Sequence, residues 1–167
     1  MIEATLCYLI CPAPIREVLL GLKKTGFGQG KYDGIGGKIE PGETPRQAAA
    51  REVAEEIGVR VDVADLVPAG DIRFLFPAAR EMEHHVFLFL VWNWSGEPIE
   101  TDEIRPAWFR VDALPWEEMW ADAVHWLPGV LDGDAVHGEI AFNDDNETVA
   151  AVRLQPWRDR PAAPPDL

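Results

Sequence analysis

The sequence predicts an α+β domain in which a mixed β-sheet is flanked by helices. Residues 85–94 (HVFLFLVWNW) form a strongly β-favouring run, typical of a central strand that is buried on both faces. Residues 47–57 (QAAAREVAEEI) contain strong helix formers and no internal breaker. A sheet and a helix of this kind bury their apolar faces against each other, so we expect helices packed on the sheet.

The first half of the chain supplies a hairpin and a short strand. Residues 3–11 are apolar and β-favouring, and Pro12 and Pro14 end that run. Residues 17–24 predict a second strand that pairs with the first. Residues 32–39 predict a short strand that leads into the helix.

The second half completes the sheet. Residues 61–76 alternate poorly at first, and then Ile72, Phe74 and Phe76 recur with period two, which predicts a strand. Residues 103–111 predict an extended segment, and residues 136–142 with 148–154 predict a closing hairpin. The segment 115–131 predicts a second helix that Pro128 limits or kinks. Residues 1–155 are therefore expected to form one domain, followed by a Pro-rich, disordered tail at 156–167.

Composition restricts the partners and the compartment. The net charge of −14 argues against binding of nucleic-acid polymers through a general basic surface. No stretch is long enough to span a membrane, and the N-terminus lacks the features of a signal peptide. Cys7 and Cys11 are too far apart along a strand to form a disulfide. We expect a cytoplasmic monomer that has reduced thiols and no membrane partner.

The four lysines of the chain lie in one short stretch, at Lys23, Lys24, Lys31 and Lys38. In an acidic protein this stretch predicts a local cationic patch that suits a small polyanion such as a nucleotide phosphate chain. A chance cluster of surface lysines is the competing interpretation.

The predicted helix carries an acidic face. Thr44 can cap its N-terminus, Pro45 suits the first helical position, and Gly58 ends it. The spacing of Glu52, Glu55 and Glu56 places three carboxylates on one face of this helix. A hard divalent cation such as Mg²⁺ would offset their repulsion, because it prefers oxygen ligands.

These residues belong to a longer pattern that resembles the Nudix box. All its defined positions are filled, at Gly37, Glu43, Arg51, Glu52, Val53, Glu55, Glu56, Gly58 and Val59. Nine constrained positions at fixed spacing make a specific signal. The resemblance implies an α/β/α sandwich and hydrolysis of a diphosphate linkage with the help of Mg²⁺, with Mn²⁺ as the alternative ion.

The resemblance also implies roles for single residues. Glu52 and Glu56 would be the principal metal ligands, and Glu55 and the backbone carbonyl of Gly37 would complete the shell. Arg51 would pair with Glu43 and fix the loop. Glu103 matches a further carboxylate that the family often adds from outside the box, although an ordinary exposed glutamate is an alternative interpretation.

Residues 5–154 further resemble the oxidised-purine nucleoside triphosphate hydrolases of this family. The resemblance is carried by LLGLKKTGFGQGKYDGIGGKIEPGE, by DEIRPAWFRVDALPWEEMWADAVHW and by VHGEIAF. It implies that a small nucleotide is bound by Tyr8, Lys23, Phe27, Asp33, Phe74, Met82, Trp120 and Asp122. Aromatic side chains would stack on the purine, and the carboxylates would contact its edge. From the residues alone, Trp120 is more typical of a core position, and the role of Phe27 is open.

Three positions depart from that branch. Asp33 replaces an asparagine, Ala123 replaces a second aspartate, and Tyr8 replaces a small hydroxyl residue that faces the pocket. Two aspartates that converge on one base in a desolvated pocket would raise the pKa of one of them. Our hypothesis is that Asp33 and Asp122 share a proton and still bind an oxidised purine. The competing consequence is an altered base preference.

Other functions remain open at this point. The first alternative is a Nudix hydrolase of ADP-ribose or a nucleotide sugar. A non-catalytic nucleotide-binding module is disfavoured by the intact acidic set of the box. An isomerase of isoprenyl diphosphates is also disfavoured, because Cys7 and Cys11 have no obvious basic partner.

Overall fold

Eight strands form one mixed sheet in the computed structural model, which describes residues 1–158. The strands are β1 (Ile2–Cys11), β2 (Glu17–Lys23), β3 (Tyr32–Asp33), β4 (Val67–Leu75), β5 (His84–Val91), β6 (Ile104–Arg110), β7 (Val136–Phe142) and β8 (Val149–Pro156). Their order is β3-β2-β1-β5-β4-β7-β8, and β6 also pairs with β2. The β1/β5 and β4/β7 pairs are parallel, and the other pairs are antiparallel.

The sheet divides beside β1, and this division creates space for a site. Strand β1 pairs with β5 from Ile2 to Leu9, but with β2 only at Ile10 and Cys11. Along the rest of this edge, a loop takes the place of β2. The Cys7 N–H donates to the Ile35 carbonyl over 2.7 Å, and the Thr5 N–H donates to the Gly37 carbonyl over 2.9 Å.

One helix covers the first face of the sheet. Helix α1 (Pro45–Ile57) begins with a capping box between Thr44 and Gln47, and it ends at Gly58 in the left-handed conformation. Its buried side chains pack with those of β1, β2 and β5 in one core cluster, which includes Cys7, Leu9, Leu19, Val53, Ile57 and Phe89. The start and end predicted for this helix are therefore confirmed.

A short helix and two 3₁₀ turns lie on the opposite face. Helix α2 spans Leu127–Leu131, and the 3₁₀ turns span Trp116–Glu118 and Ala123–His125. Together they cover a second core cluster that contains Tyr8, Ile72, Leu88, Leu127 and Val130. The layers agree with the predicted α/β/α sandwich.

The prediction of one helix over residues 115–131 was wrong. Pro128 lacks an N–H and fits only the first turn of a helix, so α2 begins at Leu127. Upstream, i→i+3 hydrogen bonds replace helical ones, for example from the Met119 N–H to the Trp116 carbonyl. These turns leave Trp120 and Asp122 free to face the sheet.

One strand prediction, over residues 32–39, was too long, whereas the alternating part of residues 61–76 forms a strand as predicted. The segment 61–76 begins with a 3₁₀ turn at Val63–Asp65, because the Asp62 side chain accepts from the Ala64 N–H, and only then forms β4. The segment 32–39 forms a two-residue strand, β3, and then bridges to β1 instead. A Cβ at Gly36 would lie 1.8 Å from the Thr5 carbonyl oxygen, so this approach requires glycine.

The remaining strand predictions are confirmed. Strand β5 lies between β1 and β4, and its last four residues are buried. The closing hairpin forms from β7 and β8, and β8 reaches Pro156, one residue beyond the predicted domain boundary. The predicted disordered tail lies, from residue 159 onward, outside the described residues. Within residues 1–158, no helix is both long and apolar enough to cross a membrane.

Candidate active site

Helix α1 presents its acidic face to the loop that follows β3. Glu56 is only 6% exposed, and its Oε2 accepts a hydrogen bond of 3.2 Å from the Gly36 N–H. Burial and then the charge of Glu52 raise the pKa of Glu56 to about 8. Burial also raises the pKa of Glu52. The two carboxylates therefore repel each other at the inner end of this face.

Arg51 ties the acidic face to the loop before the helix. Its Nε and Nη2 donate to the two carboxylate oxygens of Glu43 over 2.7 and 2.9 Å. Its Nη1 donates to Glu52 Oε1 over 2.8 Å and to Glu55 Oε2 over 3.3 Å. The pairing of Arg51 with Glu43 that the sequence predicts is present in the structure.

Gly37 and Glu103 approach the same carboxylates. A Cβ at Gly37 would lie 2.6 Å from the carboxyl carbon of Glu52, so any side chain at position 37 would displace that carboxylate. The Gly37 carbonyl already accepts from the Thr5 N–H, which leaves one lone pair for another partner. Glu103, directly before β6, is among the charges that raise the pKa of Glu52 and of Glu56.

These residues fit a divalent cation by their chemistry. Carboxylate oxygens that crowd one helix face are suitable ligands for a hard ion, and such an ion would relieve their repulsion. As the side chains stand, no three His, Cys, Asp or Glu residues within the described chain form a ready coordination group. Arg51 donates hydrogen bonds to both Glu52 and Glu55 on this face.

A cavity opens beside these carboxylates, where the sheet divides. Glu56 and Gly37 line its inner end, and Phe27 and Trp120 line its wall. Six of the eight predicted nucleotide-binding residues line it: Lys23, Phe27, Asp33, Phe74, Trp120 and Asp122. One continuous cavity therefore joins the acidic helix face to an aromatic wall.

Phe27 lies at the centre of the aromatic wall. Its ring centroid is 5.0 Å from that of Trp120 and 5.3 Å from that of His84, with nearly parallel planes in the second pair. Phe27 is nevertheless 40% exposed, and the Lys31 ammonium lies 5.0 Å from the Trp120 ring centre. The structure therefore places Trp120 on the cavity wall, where the sequence alone favoured a core position.

The two aspartates of the cavity are tied to the protein in different ways. Asp33 Oδ1 accepts from the Gly34 N–H over 2.7 Å and from the Tyr8 hydroxyl over 3.2 Å. Asp122 Oδ2 accepts from Trp126 Nε1 over 2.7 Å. Burial and the charge of Asp122 raise the pKa of Asp33 to about 7, and burial raises that of Asp122.

Two predicted nucleotide-binding residues do not line the cavity. Tyr8 is fully buried behind the wall, where its ring packs against Trp126. Met82 ends the 3₁₀ turn Arg80–Met82 and packs against the core, and its carbonyl contacts His84 Nδ1. His84 follows that turn and reaches the cavity in place of Met82.

The sequence interpretation missed several wall residues. They are Thr5, Phe76, His84, Trp126 and Phe142. Thr5 is 1% exposed, and its hydroxyl has no hydrogen-bond partner among residues 1–158. Thr5 offered a weak signal, as a small hydroxyl residue in a mainly apolar strand. His84 offered none, because its place depends on how the turn before β5 folds.

The lysine stretch is only partly at the site. Lys23 and Lys31 line the cavity. Lys24 instead pairs with Glu100 over 2.7 Å and donates to the Thr101 carbonyl. Lys38 is exposed. The predicted cationic patch therefore contributes two lysines to the cavity rather than four.

Comparison with known proteins decides the family. The family model described as NUDIX domain matches residues 4–130. The chain belongs to the Nudix family. Nudix hydrolases generally use divalent metal ions, and a small nucleotide substrate fits the family.

Curated Nudix relatives carry the name that the sequence resemblance indicated. A protein of Danio rerio named oxidized purine nucleoside triphosphate hydrolase is 42% identical over 142 residues, or 85% of this chain and 89% of that protein. Its namesake from Mus musculus is 38% identical over 84% of this chain and 87% of that protein. A Chromobacterium violaceum protein named NAD-capped RNA hydrolase NudC is 33% identical, but this chain covers only 40% of it.

Solved Nudix structures confirm the fold. A MutT protein from Bacillus halodurans superposes with a TM-score of 0.76 at 24% identity, covering 92% of this chain and 97% of that chain. A MutT NUDIX hydrolase from Burkholderia pseudomallei gives a TM-score of 0.64 at 22% identity, covering 78% and 95%. Both identities are low, so these likenesses show the fold alone.

Proposed function

We propose that this protein hydrolyses oxidised purine (deoxy)nucleoside triphosphates, such as 8-oxo-dGTP, to the monophosphate and pyrophosphate. The observation that carries the proposal is the single cavity that joins Glu56 and Gly37 to Phe27, Trp120 and the two aspartates. One end suits a metal-bound phosphate chain, and the other end suits a purine. The names of the Danio rerio and Mus musculus relatives support the same substrate class.

The phosphate end would act through the acidic face of α1. The bound ion would be Mg²⁺, with Mn²⁺ as the alternative, and its ligands would be Glu52, Glu55, Glu56, Glu103 and the Gly37 carbonyl. The bound ion would neutralise phosphate oxygens and make water a better nucleophile. Arg51 keeps Glu43 and Glu52 in place, and one of the cavity carboxylates takes a proton from the attacking water.

Lys23, whose charge acts on Glu56, would bind the phosphate chain, and Lys31, whose ammonium lies over the Trp120 ring, would add positive charge to the same cavity. Both ammonium groups are point charges that suit phosphate oxygens. They are also the local cations that an acidic chain needs in order to bind a polyanion.

The base end would recognise the purine by stacking and by edge contacts. Phe27 and Trp120 offer aromatic faces, and stacking of a base on such a face contributes about 1–3 kcal/mol. Asp33 and Asp122, sharing one proton, offer one hydrogen-bond donor together with acceptors. In this arrangement Asp33 replaces the asparagine of the resembling branch with a pair that has both hydrogen-bonding functions.

A substrate panel tests the proposal. With Mg²⁺ present, kcat/KM is measured for 8-oxo-dGTP, 2-hydroxy-dATP, O6-methyl-dGTP, dGTP and ADP-ribose. We expect an oxidised purine triphosphate to be the best substrate, and Glu56→Gln to abolish its turnover. Preference for ADP-ribose would contradict the substrate class, and retained turnover in Glu56→Gln would contradict the metal site.

The cellular setting belongs to the same proposal. Both cysteines are free, which agrees with a reducing cytoplasm. A monomer is sufficient, because every residue proposed for the site comes from one chain. Sanitation of the nucleotide pool would be the role of such an enzyme.

A further inference from the structure

Tyr8 contacts a residue of the cavity wall but lies outside the cavity itself. It is fully buried in β1 and does not line the cavity, yet its hydroxyl donates to Asp33, which does. Its ring stands against Gly34, where a Cβ would lie 2.7 Å from Tyr8 Cζ. Glycine at position 34 therefore gives the tyrosine room to reach Asp33.

Each of the two aspartates accepts a hydrogen bond from an aromatic side chain through one carboxyl oxygen. Asp33 Oδ1 accepts from Tyr8 and Gly34, and Asp122 Oδ2 accepts from Trp126. The Tyr8 and Trp126 rings meet edge to face with centroids 6.1 Å apart. Two packed aromatic donors thus each fix one oxygen of one aspartate. Among residues 1–158, no side chain or backbone group of another residue bonds the second oxygen of either aspartate.

We propose that Tyr8 is a positioning residue for base recognition, whose hydroxyl fixes the orientation of Asp33 so that the second carboxyl oxygen faces the purine. The inference rests on the proposed function, because the ligand is the base of that substrate. Phenylalanine at this position would preserve the packing against Trp126 and Gly34. It would leave the Asp33 carboxyl held by the Gly34 N–H alone.

The charges around Asp33 determine how the hydrogen bond from Tyr8 affects the pKa of Asp33. The charged and titratable groups that face it are Tyr8 of β1, Lys23 of β2, Asp122 of the loop before α2 and, along the same cavity, Lys31, Glu56 and His84. Burial and the neighbouring carboxylate keep the pKa of Tyr8 well above its usual value, so Tyr8 remains a donor. The bond stabilises the Asp33 carboxylate and therefore lowers the pKa of Asp33 against the effect of burial.

A titration without nucleotide tests this role. Carboxyl ¹³C NMR of aspartate-labelled protein is followed against pH, and Asp33→Asn assigns the Asp33 signal. Tyr8→Phe should move the Asp33 midpoint upward by about half to one pH unit, because one hydrogen bond to the carboxylate is lost. Ile10→Val, which trims the core on the same face of β1, should leave the midpoint unchanged. An unmoved midpoint in Tyr8→Phe would overturn the proposal.

Kinetics then separate positioning from packing. At pH values below the Asp33 midpoint, Tyr8→Phe should lower kcat/KM for 8-oxo-dGTP roughly three- to tenfold, mainly by raising KM. In an Asp33→Ala background, which leaves no side-chain oxygen to accept from the Tyr8 hydroxyl, the same substitution should have no effect. An equal loss in both backgrounds would assign Tyr8 a packing role only. The NMR result does not depend on substrate, so failure of the proposed function and failure of this inference are distinguishable.

Discussion

Arg51 holds Glu43 through two parallel hydrogen bonds, 2.7 Å from Nε to Oε1 and 2.9 Å from Nη2 to Oε2. Its third nitrogen, Nη1, donates to Glu52 over 2.8 Å. The pair lowers the pKa of Glu43 and raises that of Arg51. One guanidinium therefore connects the loop before α1 to a proposed metal ligand.

Replacing Arg51 tests this connection. Arg51→Lys keeps the charge but cannot bond Glu43 and Glu52 at once, because an ammonium lacks the planar fork. We expect kcat to fall by tenfold or more, since charge-assisted hydrogen bonds contribute about 1.5–3 kcal/mol each. Arg46→Lys is the matched control, because Arg46 of the same helix bonds the Val63 and Leu66 carbonyls and, within residues 1–158, no carboxylate. Wild-type kcat in Arg51→Lys would contradict the assignment.

Gly37→Ala tests the approach of the loop to Glu52. The added Cβ would lie 2.6 Å from the Glu52 carboxyl carbon, so this side chain must move. Assays at several Mg²⁺ concentrations should show weaker metal activation and a lower kcat. Gly129→Ala in α2 serves as the control, since its nearest neighbour would be 3.7 Å away. Unchanged metal activation in Gly37→Ala would exclude Glu52 as a ligand.

The sequence predicts the phosphate end of the site better than the base end. The acidic face of α1 depends on local spacing, and Glu52, Glu55 and Glu56 lie where a helix of 3.6 residues per turn places them. Thr44 and Gly58 limit that helix by local hydrogen bonds that a sequence pattern reveals.

The base end depends on long-range packing that local patterns do not report. Trp120 faces the cavity because Pro128 shortens the second helix and leaves 3₁₀ turns upstream. Tyr8 lies behind the wall because Gly34 admits its ring there. His84 and Thr5 reach the cavity through the register of β1 and β5, which no short motif encodes.

Trp120→Ala should weaken binding of the nucleotide. Loss of a stacking surface that contributes about 1–3 kcal/mol corresponds to a decrease in kcat/KM of roughly five- to 150-fold, mainly through KM. Trp116→Ala, in the adjacent 3₁₀ turn, removes an exposed tryptophan that does not line the cavity and should be neutral. Equal effects of the two substitutions would rule out a stacking role for Trp120.

The protonation of Asp33 predicts the pH dependence of activity. Because the pKa of Asp33 is raised to about 7, the protonated form persists from acidic pH up to neutrality. If that proton is needed for base recognition, kcat/KM for 8-oxo-dGTP falls above about pH 7. Asp33→Asn cannot titrate and should lose this fall. A fall of the same size and midpoint in the variant would assign it to another group.

The same raised pKa makes stability depend on pH. Between the ordinary value of 3.8 and about 7, folded Asp33 retains a proton that the unfolded chain has released. The free energy of unfolding therefore decreases through Asp33 as the pH rises across this window. Urea unfolding at pH 5 and pH 8 should show a larger loss for the wild type than for Asp33→Asn. Equal losses would place the titrating proton elsewhere.

The most direct test of the central claim is a competition between 8-oxo-dGTP and dGTP in one reaction with Mg²⁺. Both monophosphates are separated and quantified at low conversion, which gives the ratio of the two kcat/KM values. We expect 8-oxo-dGMP to form in clear excess, because one cavity joins the acidic face of α1 to Phe27, Trp120, Asp33 and Asp122. Equal formation of the two products, or an excess of dGMP, would contradict it.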